Sequence, residues 1–247
     1  MSQRRQTELE PAWVLHHRPY RDSSEIVDLL TQAQGRIAVV ARGSRRPGRN
    51  RQALEPFRPL LVSWRGRGEL QNLLSVEPRG AAVRATGQRL LSMFYLNELL
   101  LRLLQKHDPH PQTFADYEWA LAELGAGGPE APVLRVFEKR LLDAMGYGLN
   151  LEADEQGCVL EPGVSYRYLP EQGPVRALDG DSGGLLVQGA SLIALAAERL
   201  QDDVELREAR LVLRRTLDLY LGDRPLKSRE VLRAMRTGAS GGRFLAE

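Results

Sequence analysis

Five arginines stand within the ten residues RGSRRPGRNR, positions 42–51, with no acid among them. Arg42, Arg45, Arg46, Arg49 and Arg51 are interspersed with Gly43, Ser44, Pro47, Gly48 and Asn50, residues that punctuate turns rather than extend helices. A guanidinium is a planar fork of donors that matches two phosphate oxygens and also stacks on flat rings. Several forks on one turn-rich segment could span neighbouring phosphates of a polyanion. The same run also reads as a solvated surface, because arginine is common here: the chain has 31 Arg against 3 Lys. Residues 1–80 hold 14 basic and 8 acidic side chains, whereas residues 81–247 hold 20 and 24. A cationic front ahead of a nearly neutral body suits contact with a polyanion.

Other groups that could do chemistry lack their partners. A phosphate-binding loop needs a lysine after glycine. Lys106, Lys139 and Lys227 follow Gln, Glu and Leu, so nucleotide hydrolysis of that kind is excluded. GDSGG (180–184) is the string around the nucleophile of chymotrypsin-like proteases, whose serine needs a histidine base and an aspartate on a double β-barrel. His16, His17, His107 and His110 lie in no such context, and a glycine-rich turn accounts for the string. HDPH (107–110) offers two histidines and an aspartate, short of the three or four spaced ligands that zinc takes. It reads as a polar loop leaving a helix. Asp202 and Asp203 read as a helix N-terminus, where carboxylates complement the dipole. No catalytic constellation remains, so the expectation is a binding protein without enzyme activity, metal or cofactor.

The single cysteine, Cys158, allows no intrachain disulfide. MSQRRQTELEPAW carries no apolar run after its arginines, which speaks against a secretory leader. The most apolar window, 90–104, is interrupted by Asn97, Glu98 and Arg102 and is too short to span a bilayer. A soluble, cytoplasmic protein is expected.

Positioning these residues falls to two kinds of element. AWVLHHR (12–18), EIVDLLT (25–31), GRIAVVAR (35–42), RPLLVSW (58–64) and ELQNLLSV (69–76) are short apolar or alternating runs between turn signals. Five such strands in about 80 residues suggest a small barrel, OB-like or SH3-like, because closure removes exposed edges. From Ala85 the period becomes helical. RLLSMFYLNELLLRLLQK (89–106) is apolar almost all round, as a buried helix is. FADYEWALAEL (114–124), PVLRVFEKRLLDAMG (132–146), ASLIALAAERL (190–200), ELREARLVLRRTLDLYLG (205–222) and KSREVLRAM (227–235) follow. Residues 150–188 lose the helical period, and the tail TGASGGRFLAE reads as mobile. The fold class is α+β: a barrel over 1–82, then a helical domain over 83–247 with an irregular insertion at about 150–188. A charged barrel face suits single-stranded nucleic acid, with bases stacked on aromatics. Trp64, Tyr20, Phe57 and Trp13 lie near the arginines in sequence, although Phe57 and Trp13 read first as core.

LHHRPYRDSSEIVDLLTQAQGRIAVVARGSRR, EPFRPLLVSWRGRGEL, YLNELLLRLL, RVFEKRLLDAMGYGLN and YLGDRPLKSREVLR together resemble the RecO family of bacterial recombination mediators, in order from about Trp13 to Arg236. The likeness is strongest to its enterobacterial and pseudomonad type. It implies an N-terminal five-stranded OB-fold barrel and an α-helical C-terminal domain. It further implies binding of single- and double-stranded DNA, annealing of complementary strands, and, with RecR, loading of RecA onto strands coated by single-strand binding protein. An adaptor that works through its helical domain, with the arginines only a solvated surface, is the alternative.

On that resemblance the DNA-binding surface corresponds to Arg36, Arg42, Arg45, Arg46, Arg49 and Arg51, with Arg65 and Arg67 in the RGRG turn as weaker candidates. PLKSRE adds Lys227 and Arg229 at the start of the last helix, where Ser228 also reads as a cap. The acidic tail of single-strand binding protein is expected on LRVFEKRLL, with Arg135 as its cation and Leu134, Phe137 and Leu141 as its apolar wall. Some relatives carry a four-cysteine zinc module in the 150–180 region; with Cys158 alone, no metal is expected here.

Overall fold

The computed structural model describes residues 9–44, 54–66, 68–178, 183–222 and 224–241. Strands β1 (Glu10–Tyr20), β2 (Ser24–Thr31), β3 (Gly35–Ala41), β4 (Leu60–Arg65) and β5 (Leu70–Pro78) close into a barrel in the order β1-β2-β3-β5-β4. Only the β3–β5 pair is parallel. This is the OB-fold barrel that the resemblance implied. Val27, Leu29, Ile37, Val39, Leu60, Val62 and Trp64 fill its interior. Each such side chain contributes roughly 1.5–3 kcal/mol by leaving water. Their period of two sends the intervening residues to the outer face.

Helices α1 (Gly87–Leu103), α2 (Pro111–Ala126) and α6 (Lys227–Gly241) belong with the barrel: Met1–Gly125 and Leu226–Glu247 form one compact unit, and Ala126–Pro225 a second. The change from strand to helix near residue 82 and the division by packing therefore fall at different places. α1 is apolar on nearly every side because Met93, Leu96, Leu99 and Leu100 are all fully buried. Its polar exception explains itself. β1 has a bulge between Val14 and His16, and the buried Asn97 donates to the Leu15 carbonyl there at 2.9 Å. Asn97 also accepts from the Tyr117 hydroxyl, whose pKa burial pushes well above its ordinary value. Asn97→Leu removes both hydrogen bonds from the core, and the unfolding free energy should fall by about 2–3 kcal/mol. Adding Tyr117→Phe should recover part of that loss in the same denaturation series.

The HDPH segment has a structural task. His107 N donates to the Arg36 carbonyl at 2.9 Å, and His110 Nε2 lies 3.1 Å from Asp108 Oδ2. Asp108's carbonyl presses on Gly35, where a Cβ would stand 1.9 Å from that oxygen and φ is +67°. Only glycine fits the β2–β3 turn beneath it.

The second unit holds α3 (Glu130–Ala144), α4 (Gly189–Ala196) and α5 (Asp203–Leu221). Where an irregular insertion was expected, β6 (Ser165–Leu169), β7 (Gly173–Arg176) and β8 (Leu185–Gln188) form an antiparallel sheet in the order β7-β6-β8. Tyr166 and Tyr168 alternate into its buried face, and burial pushes the Tyr168 phenol up to about 12. Of GDSGG, Gly183 and Gly184 are described; both have positive φ and lead into β8. Asp202 caps α5 as expected: its Oδ1 accepts from Val204 N and Glu205 N, both at 2.8 Å, and Glu205 reaches back to complete a capping box. α6 runs to Gly241, so Thr237–Gly241 are helical rather than tail. Among the described residues no helix is long and apolar enough to cross a membrane.

Candidate nucleic-acid interface

Strand register aligns one row of residues across the outer face of the barrel. Arg18 on β1 pairs with Ile26 on β2, Ile26 with Val40 on β3, Val40 with Asn72 on β5, and Asn72 with Arg65 on β4. An exposed arginine thus stands at each end, with apolar and amide side chains between them. Tyr20 packs against Ile26, Ala38 and Val40, a small apolar cluster separate from the barrel interior.

Beside this row lies a groove of about 540 Å³, lined by Tyr20, Arg21, Ser23 and Ser24 from the β1–β2 turn, Val40, Arg42 and Gly43 from the exit of β3, and Leu70 and Asn72 from β5. OB-folds commonly bind oligonucleotides on the face of strands 2 and 3 and at the first and fourth connections; this groove takes its lining from the first connection, the exit of β3 and the start of β5. The Arg21 guanidinium stacks over the Tyr20 ring at 5.1 Å, and Arg21 itself has a φ of +53°, rare for a residue with a Cβ. Gly43, at φ +69°, allows the sharp turn by which the chain leaves β3. The groove is therefore cationic at its rims and has an aromatic ring, an exposed Leu70 and a carboxamide in its wall. That set can hold phosphates by charge, stack one or more bases, and exchange hydrogen bonds with their edges.

Of the arginines singled out in the sequence, Arg42 lines this groove and Arg65 ends the row next to Asn72. Arg36 is at the other end of β3, opposite Leu30, and its guanidinium donates to the Leu101 carbonyl in the last turn of α1. There it satisfies a helix C-terminus rather than facing the groove. Arg45, Arg46, Arg49, Arg51 and Arg67 lie outside the described residues. Of the four aromatics, Trp13, Phe57 and Trp64 are buried, and Tyr20 alone lines the groove.

Arg18, Arg21 and Asn72 were not among the candidate contacts, and Tyr20 was named only as one of four aromatics near the arginines. RPYRDSS reads as turn chemistry, and the signal that could have promoted it is an aromatic flanked by arginines in the first connection of a barrel.

At the start of α6, Glu98 of α1 supplies the cap: its carboxylate accepts from Lys227 N at 2.8 Å, Ser228 N at 2.9 Å and Ser228 Oγ at 2.6 Å. Lys227 is exposed, whereas Arg229 is half-buried with its guanidinium 5.6 Å from the centre of the Tyr95 ring.

On α3, Phe137 and Leu141 are fully buried and Leu134 is half-buried. Arg135 is buried too, and forks onto the buried Glu138 through Nε–Oε2 at 2.8 Å and Nη2–Oε1 at 2.5 Å. One turn on, Lys139 and Arg140 both pair with Glu198. Burial works hardest against the Lys139 ammonium, yet the hydrogen bonds and charges of Asp143 and Glu198 together raise its pKa. Burial likewise pushes the Glu198 carboxyl up, but Arg140 and Lys139 hold it below its ordinary value. The α3 cations thus have internal partners. Among the described residues no three His, Cys, Asp or Glu side chains gather as metal ligands, and Cys158 is exposed.

Comparison with known proteins agrees with this architecture. The family model described as Recombination protein O N terminal matches residues 5–82, and the one described as Recombination protein O C terminal matches residues 84–230. The chain is 49% identical to the DNA repair protein RecO of Alkalilimnicola ehrlichii over 229 residues, covering 92% of this chain and 91% of that protein. To the DNA repair protein RecO of Halorhodospira halophila it is 45% identical over 92% and 97% of the two chains. The corresponding figures for Coxiella burnetii are 43%, 91% and 97%.

Proposed function

The chain belongs to the RecO family of DNA repair proteins, and from that membership we propose that its barrel groove is the seat of single-stranded DNA. The observation that carries the reading is the convergence of Tyr20, Arg21, Arg42 and Asn72 on one face of an OB-fold barrel. Phosphates track the arginines, a base stacks on Tyr20, and sequence preference is slight because every base has a π-face. The segment containing Arg45, Arg46, Arg49 and Arg51 begins two residues beyond Gly43 in the chain, and on this reading its arginines add phosphate contacts. Arg65, next to Asn72 on the β4–β5 side, adds to them, as does Arg67 in the RGRG turn of the sequence, and Lys227 and Arg229 offer a second strand its contacts. Arg36 takes no part, because its guanidinium serves α1.

The reading extends to a working cycle in the cytoplasm, where the protein holds single- and double-stranded DNA and anneals complementary strands. With RecR it prepares strands coated by single-strand binding protein for RecA, through no covalent step. The acidic tail of single-strand binding protein is assigned to α3, around Leu134, Arg135, Phe137 and Leu141. What supports these steps is family membership and the absence of a catalytic motif from the sequence.

Tyr20→Ala tests the groove. Loss of one stacked base is worth about 1–3 kcal/mol, so affinity for a labelled oligonucleotide should fall roughly tenfold by fluorescence anisotropy. Tyr20→Phe keeps the ring and should bind as the wild type does. An alanine variant with unchanged affinity and an intact fold would remove the groove from the site.

A further inference from the structure

Tyr20 ends β1, and its ring packs against Ile26, Ala38 and Val40 on the outer face of the barrel. Among the described residues that line the groove, it alone is aromatic. The next residue, Arg21, has a φ of +53°, which residues with a Cβ seldom adopt. Such conformations gather at ligand clamps and switch segments. Here the guanidinium carbon lies over the Tyr20 ring, 5.1 Å from its centroid. A cation therefore covers the surface on which a base would stack.

A second arginine–tyrosine contact shows what a permanent one looks like. Arg229 lies 5.6 Å from the centre of the Tyr95 ring, is half-buried, and donates to the Tyr95 hydroxyl at 3.3 Å. Tyr95 is buried as well, so no base can reach that ring. Arg21, by contrast, is exposed. An exposed guanidinium holds to a ring by a factor of only about two to five, whereas a stacked base gains roughly fivefold or more. A ring packed against the barrel wall offers the groove one face, and two flat partners cannot share it. The base wins that exchange.

We propose that Arg21 is a placeholder on Tyr20, a positioning residue that covers the stacking face in the free protein, yields it to a base, and turns its guanidinium to a phosphate of the incoming strand. The proposal rests on the barrel groove being the DNA site. Arg21 thus opposes the stack while it assists the charge contact, and the two effects separate by experiment.

The test is an affinity cycle, by fluorescence anisotropy, on the parent, Arg21→Ala, Tyr20→Leu and the double variant with a labelled single-stranded oligonucleotide. Leucine keeps an apolar contact with Ile26, Ala38 and Val40 but has no ring. Arg21→Ala removes a phosphate contact in both backgrounds and should flatten the salt slope by roughly 0.7 in each. In the parent it also uncovers Tyr20, so its cost there should be about two- to fivefold smaller than in the Tyr20→Leu background. An abasic oligonucleotide, with nothing to stack, should show the same cost in both. Equal costs with the ordinary oligonucleotide would make Arg21 a phosphate contact independent of the ring and overturn the proposal. A larger cost in the parent would also overturn it, because the base would then stack on a guanidinium that stays in place. If Tyr20→Leu does not fold, the parent ring suffices: Arg21→Ala should cost about two- to fivefold less with the ordinary than with the abasic oligonucleotide, and equal costs overturn the proposal. The underlying reading fails separately: it is at fault, and takes the proposal with it, if neither Arg21→Ala nor Tyr20→Leu changes affinity or salt slope.

Discussion

Changing Arg45, Arg46, Arg49 and Arg51 together to alanine is expected to flatten the log–log salt dependence of single-stranded DNA binding by about two to three units. Each phosphate contact on a single strand releases counterions worth a slope of roughly 0.7. Four arginines in seven residues can thus account for most of three units. At 0.15 M salt the same loss corresponds to roughly a hundredfold weaker binding. Stability should hold within about 0.5 kcal/mol, because these side chains belong to a turn-rich segment and the barrel is filled without them. Anisotropy across a salt series, with a thermal melt of each variant, measures both. An unchanged slope would make the run a solvated surface and move the charge-driven contact to Lys227 and Arg229.

That expectation rests on a part of the chain the sequence describes well, and the same is true of most of the fold. Alternation along Ile37, Val39 and Ala41 is enough to set the interior of β3, and the apolar girth of 89–104 is enough to bury α1. Both are local patterns, and the hydrophobic effect acts on them wherever they occur. What the sequence hides is register and long-range pairing. Arg18 and Arg65 are 47 positions apart, and only the paired strands between them put the two in one row. Arg36 reads as a barrel-surface cation until α1, some 65 residues later, brings a carbonyl to it. Ser228 reads as its own helix cap, but Glu98 reaches α6 from 130 residues away. The sheet at 165–188 was missed because its strands are of four or five residues, too short for alternation to stand out among glycines.

The same contrast decides what Arg135 does. From its position beside Leu134 and Phe137 it could be the cation that receives an acidic tail. In the fold its fork is already engaged by Glu138 one turn along the helix, and both side chains are nearly out of reach of water. Glu138→Ala takes away that carboxylate and leaves a buried guanidinium, so stability should fall by about 3–5 kcal/mol. A chain of this size should then melt about 10 °C lower. Arg135→Met with Glu138→Leu removes both charges at similar volume, and such exchanges are often neutral or stabilising. That double variant separates structure from recognition. It is expected to fold as well as the parent, so its affinity for an acidic peptide ending in an apolar residue and a free carboxylate reports on the Arg135–Glu138 pair rather than on lost stability. A loss of tenfold or more would mean that the pair with Glu138 opens to receive the peptide, with the helix supplying its cation by exchange of one carboxylate for another. Binding at parental affinity would leave Arg135 as the buried strut of α3, and the acidic tail would then have to find its cation elsewhere.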